Sequence, residues 1–193
     1  MANDGSFAVG IIMRKNLFFC IVIVVIGYAL PVINVHLSFL GTKQTYDFSL
    51  RAAFEDGGPL GRLTLDDSDL SDILTENEIM RDISRRIIVS VVSYVLALIF
   101  FATSIVIFTL KKRAIFGIAA NMDALILHII SALAILSVPD KVAHALEDFL
   151  GIFARFVNTH NVLQIELAIG FWVTLFVMAA FLIFQLASRY HSP

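Results

Sequence analysis

The chain is poor in cysteine and in charge. It has one cysteine, Cys20, among 193 residues, so no intrachain disulfide can brace an outer domain. Only 16% of residues are charged and the net charge is −2, against about 25% charged in ordinary soluble domains. There is no overall basic field to attract nucleic acid. A Gly-rich phosphate loop, a paired-cysteine zinc pattern and a hydrolase nucleophile elbow are also missing. Without clustered nucleophile, base or metal ligands at one depth, the expectation is a non-enzymatic protein that needs no cofactor.

What the chain has in excess is apolar sequence. Hydrophobic residues make up 59% of it, against about 45–50% in soluble domains. They gather in four runs, at 17–35, 87–110, 114–137 and 163–187. Each run is near or above the ~20 residues that cross a ~30 Å hydrocarbon core at ~1.5 Å per residue. The pattern predicts an all-α integral membrane protein, a bundle of four transmembrane helices, in a plasma membrane or a bacterial inner membrane.

Basic residues in the short flanks orient it. Arg14 and Lys15 precede the first run, Lys111, Lys112 and Arg113 fill the link 111–113, and Arg189 follows the fourth. All lie on one side, which predicts cytoplasmic ends at 1–16 and 188–193; Arg85 and Arg86 lie on the other side. The stretch from Met13 has the basic start and apolar core of a signal peptide. No small-residue cleavage site follows it, so the first run is read as a retained anchor.

The loops 36–86 and 138–162 then face outward. "VHLSFLG" and "KQTYDFSL" alternate apolar and polar residues, the period of half-buried strands. This predicts a β-hairpin over 35–50 with its turn at Gly41-Thr42. A helix is expected over 69–86, capped by Ser68 or Ser71 and running into the second span. Asp67, Asp69, Ser71 and Glu78 have the ligand spacing of a calcium loop, but Asp72 stands where that loop needs its turn glycine. A solvated acidic helix start is the stronger reading there. In the second loop, Val142, Leu146, Phe149, Phe153 and Phe156 are spaced as the apolar side of an amphipathic helix. Phe149, Phe153 and Phe156 make a candidate partner surface. His144 and His160 have no ligand cluster to join and are expected to be surface histidines.

The third run, "IFGIAANMDALILHIISALAILS", carries Asn121, Asp123 and His128 inside a span. Steps of three and four residues put Asn121, Ala124, His128, Ser131 and Ile135 on one helical face. Asp123 falls about 140° away from His128 at ~100° per residue, on a stripe with Ile126, Leu127 and Ile130. Asp123 lies ~13 Å and His128 ~21 Å along the helix from Ala114. Such groups need protein partners. Ser90, Ser93, Tyr94, Thr103, Ser104, Tyr28, Glu166 and Thr174 are the available ones. Asn121, Asp123, His128 and Ser131 are the candidate intramembrane contact residues. Interhelical bonding that fixes the bundle, a contact to a partner subunit, and a proton or ion relay all remain open for them.

The layout resembles claudin-like four-span proteins in topology: a long first outer loop opening with a hairpin, a short basic inner link and a second outer loop. The Trp-Gly-Leu-Trp motif and paired cysteines of that family are absent. "LPVINVHLSFLG", residues 30–41, resembles paraquat-inducible protein A-type membrane proteins, in which a Pro ends a span and leads into a strand and a Gly. That resemblance implies a link to lipid transport. The leading expectation from the residues is protein–protein association, as an accessory or scaffold subunit or by self-assembly. Its partners are membrane lipids and other membrane subunits or a second copy. Transport of lipid, protons or ions through the polar residues of the third run is the alternative.

Overall fold

The computed structural model describes residues 23, 25–39, 42–54, 78–110, 114–152 and 159–190. Among these the order is β1 (Ile33–Phe39), β2 (Thr42–Phe48), α1 (Leu50–Phe54), α2 (Glu78–Thr109), α3 (Ala114–Leu136), α4 (Val138–Leu150), β3 (Leu163–Leu167) and α5 (Ile169–Tyr190), with a 3₁₀ turn at Thr159–Asn161 before β3. The fold is mostly helical with one small sheet. Three helices, α2, α3 and α5, are long and apolar enough to cross a membrane. Residues 25–29, inside the first apolar run, are also helical.

α2 has 32 residues, about 48 Å at ~1.5 Å per residue, well beyond a ~30 Å hydrocarbon core. The excess explains the charges at its start, which need water. There Asp82 Oδ2 accepts from Arg86 Nε at 3.1 Å and lies 3.6 Å from Lys141 Nζ on α4, while Arg86 Nη1 donates to Ser137 Oγ at 2.6 Å. This latch ties the projecting turns of α2 to the α3–α4 corner. The corner itself follows from sequence. Pro139 sits in the first turn of α4, where its missing N–H costs nothing, and Asp140 follows it at the positive end of the helix dipole.

α2 and α3 form the main helical pair. Their backbones approach closely at Gly117, where Ser104 Oγ donates to the Gly117 carbonyl at 2.6 Å, the contact that small residues permit between membrane helices. Ala97, Ala124 and Met178 are fully buried at the three-helix seam, beside Phe101 and Phe171. Phe181 of α5 meets Phe101 and Phe108 of α2 edge-to-face, each at 5.7 Å between centroids, a favoured aromatic geometry.

The sheet has the order β2–β1–β3, antiparallel throughout. The expected hairpin is present, with Phe39 opposite Thr42. Thr42 is therefore the first strand residue rather than part of the turn, because the pairing leaves two residues between the strands. Alternation sends Ile33 and Val35 of β1, with Leu163 and Ile165 of β3, toward the helices, Val35 and Ile165 lying directly opposite each other. The polar set, including His36, Thr45 and Glu166, faces the other way. His36 Nδ1 and Thr45 Oγ1 are hydrogen-bonded at 2.9 Å, and His36 Nε2 is 3.7 Å from Glu166 Oε2.

β3 corrects the expected fourth span. Residues 163–167 lie in the sheet and the helix begins at Ile169. "LQIEL" is apolar at alternate positions, and the free edge of β1 supplies the backbone partners that such a strand needs. Glu166 is consequently on the sheet and is no partner for Asp123. Trp172 is in the first turn of α5. It is 55% exposed and its Nε1 donates to Leu167 O at 3.2 Å.

In the second loop, α4 buries Val138 and Ala143 and ends at Gly151, whose φ of +52° suits glycine. Phe149 is 86% exposed and is not on the buried side with Val138 and Ala143. Phe153 and Phe156 lie outside the described residues, as do Asp67 and Asp69 of the calcium reading; Glu78 opens α2.

Candidate functional site

The polar residues of α3 split into two sets, as the helical period requires. Asn121 and His128 are fully buried and Ser131 nearly so, while Asp123 is exposed on the outward surface. The inward set forms three polar rungs along the bundle.

At the sheet end, Ser90 Oγ of α2 donates to the Ser131 carbonyl at 2.9 Å and lies 3.1 Å from Ser131 Oγ. With the Ser90 proton on the carbonyl, the short contact between hydroxyls makes Ser131 Oγ its donor. In the middle, His128 stacks on Phe171 at 4.0 Å between ring centroids and is tilted against Tyr94 at 5.2 Å. Its Nε2 lies 3.2 Å from the Phe171 carbonyl and 3.4 Å from Thr174 Oγ1. A carbonyl only accepts, so Nε2 carries the hydrogen. Thr174 Oγ1 donates to the carbonyls of Phe171 and Gly170, at 2.8 and 2.9 Å. At the far end, Asn121 Nδ2 donates to Met178 O at 3.2 Å and to Gln185 Oε1 at 3.3 Å. Gln185 Nε2 donates to Ser104 Oγ at 2.9 Å. Polar groups in hydrocarbon are costly without partners, and the three helices supply most of them in kind.

Two buried acceptors in this seam have no hydrogen-bond partner among the described residues, His128 Nδ1 and Asn121 Oδ1. Of the expected partners, Ser90, Tyr94, Ser104 and Thr174 join the seam. Thr103 instead bonds its own helix at Ile99 O, and Tyr28 is exposed. Gln185 was missed. Its signal was present in the spacing Thr174, Met178, Phe181, Gln185, which keeps one face of α5.

Asp123 stands apart from all of this. It has no ion pair among the described residues, and exposed Met122, Ile126 and Ile130 surround it on the outward side of α3. No three His, Cys, Asp or Glu side chains gather as a metal group among the described residues.

A cavity of about 330 Å³ lies between the sheet and the helices at the Ser90–Ser131 end. Its walls come from the inner face of the sheet, from α2 at Ile83 and Ile87, and from the α3–α4 corner at Ile135 and Val138. The size falls in the range of small-molecule sites, ~300–1,000 Å³.

No family model matches the chain, and no characterised protein or solved structure matches it either.

Proposed function

We propose that the chain is a non-enzymatic membrane subunit that works by associating with another membrane protein or with a second copy of itself. In this reading the first apolar run is a fourth span, both termini are cytoplasmic, and the sheet with α4 forms the cap on the opposite side, in a claudin-like order. Support for the fourth span comes from Ile23, buried with the bundle core, and from Gly27, which lies against Leu98 of α2 and Thr174 of α5.

The observation that carries the association reading is the outward placement of Asp123. A carboxylate facing lipid near mid-span costs ~3 kcal/mol on insertion scales. The bundle spends its own polar partners on Asn121 and His128 and leaves Asp123 uncovered. A partner helix bearing a basic or hydrogen-bonding side chain would remove that cost.

A photo-crosslinking residue at Met122 or Ile126, compared with one at Phe176 on α5, tests this in native membranes. The expected result is a protein adduct of defined mass from the α3 positions, lost on Asp123→Leu, with only lipid adducts from Phe176. Lipid adducts alone at all three positions would refute the reading.

Transport is the second reading, supported by the two bare acceptors in the seam. It requires that His128→Ala and Asn121→Leu abolish flux in proteoliposomes while the protein stays folded.

A further inference from the structure

We propose that the cavity beneath the sheet holds one acyl chain of an anionic phospholipid. Among the described residues the walls are mostly hydrocarbon: Val35 and Ile165 from the sheet, Ile83 and Ile87 from α2, Ile135 and Val142 from the α3–α4 corner. The hydroxyls that reach it are already committed. Ser90 and Ser131 bond each other, Ser49 Oγ accepts from the Ala52 N–H at 3.1 Å, and Tyr94 OH points at Gly27 O, 3.5 Å away. A water needs two to four polar partners to settle in such a space, and among the described residues only the Ser49 hydroxyl keeps its hydrogen unshared. Its occupant is therefore apolar.

Position selects which apolar molecule. Ile83, Ile87 and Val91 line the cavity, while the adjoining Ile88, Val89 and Val92 are exposed on the outer side of the same helix. The cavity therefore lies at the same depth along α2 as the surface that meets the bilayer, where acyl chains are the solvent. The headgroup follows from charge. The latch beside Ile83 and Val142 contains Arg86, Lys141 and Asp82, one net positive charge where α2 leaves the hydrocarbon. A single such charge beside an anionic headgroup is worth up to about fivefold in occupancy, the upper end for an exposed ion pair.

The test uses the full chain in phosphatidylcholine vesicles carrying a trace of phosphatidylglycerol with a diazirine on its acyl chain. Labelled peptides are then mapped by mass spectrometry. Labelling of the segments around Ile83–Val91 and Ile135–Val142 is expected to saturate at a low probe fraction. Labelling at outward Ile126 rises in proportion to the probe instead. The same probe built on phosphatidylcholine should label the cavity up to about fivefold less, and Arg86→Gln with Lys141→Gln should erase that difference. Val142→Phe and Ile165→Phe fill the space from two different elements, α4 and β3, and each should remove the saturable component while Ile126→Phe leaves it. Because the pattern in the unsubstituted protein is decisive alone, a variant that fails to fold does not rescue the idea. The proposal is overturned if cavity peptides show no saturable component, if both probes label them equally, or if the folded filling variants keep it.

Discussion

Gly170→Ala probes a tight joint, where the start of α5 meets the chain entering β1. A Cβ built on Gly170 falls 2.6 Å from the Pro31 carbonyl oxygen and 2.9 Å from Leu30 Cβ. Ordinary contact begins at 3.4 Å, so the backbone at 30–31 must retreat by most of an ångström. It cannot do so freely. The same Pro31 oxygen accepts from the Gly170 N–H at 2.9 Å, and Val32 O accepts from Ala168 at 2.9 Å. Overpacking of this kind costs about 1–3 kcal/mol, and a weakened buried hydrogen bond adds about 0.5–1.5 kcal/mol. Against this, alanine gains up to about 1 kcal/mol over glycine in a helix. The net expectation is a loss of about 1–3 kcal/mol, read by denaturant unfolding of the purified protein in mild detergent. Gly117→Ala is the control, because its nearest neighbour would be an ordinary 3.4 Å away; it should be neutral or slightly stabilising. If Gly170→Ala is as stable as Gly117→Ala, the close approach of α5 to residues 30–31 is wrong.

Three further outcomes are expected. Gln185→Leu removes one acceptor from Asn121 and the contact to Ser104; the unfolding free energy should fall by about 1 kcal/mol, within the ~0.6–1.7 kcal/mol measured for hydrogen bonds between membrane helices. Adding Asn121→Leu should recover part of that loss, since removing both partners leaves fewer orphans than removing one, and strict additivity would argue against the rung. Gly151→Ala places a side chain at φ +52° and ψ −118°, a conformation costing about 1–3 kcal/mol; unchanged stability in the same assay would show that the end of α4 is drawn incorrectly. Trp172 is the chain's one tryptophan and lies in the first turn of α5, so lipids brominated near the headgroup should quench its emission more than lipids brominated near the chain end, and the reverse order would displace the boundary of α5.

The bilayer-facing character of the chain was legible because it depends on run length alone. So was the inward face of α3: Asn121, Ala124, His128, Ser131 and Ile135 share a side by helical geometry, and all five are buried. The same geometry sent Asp123 outward. The alternation of "VHLSF" and "KQTYDF" carried the hairpin, since a period of two can bury only one face.

Other features depend on groups far apart in the chain. "LQIEL" fits a strand and an apolar run equally well, and only the open edge of β1, more than a hundred residues earlier, decides for the strand. The partner of Asn121 is Gln185 and that of His128 is the Phe171 carbonyl, because hydrogen bonding in a low-dielectric bundle is settled by which helices stand side by side. The cavity likewise belongs to no single segment: sheet, α2 and the α3–α4 corner each supply a wall. Sequence thus determined which surfaces must avoid water, through local periodicity and length. Tertiary structure decided which polar groups meet and what space remains between them, because those depend on the packing of distant elements in three dimensions.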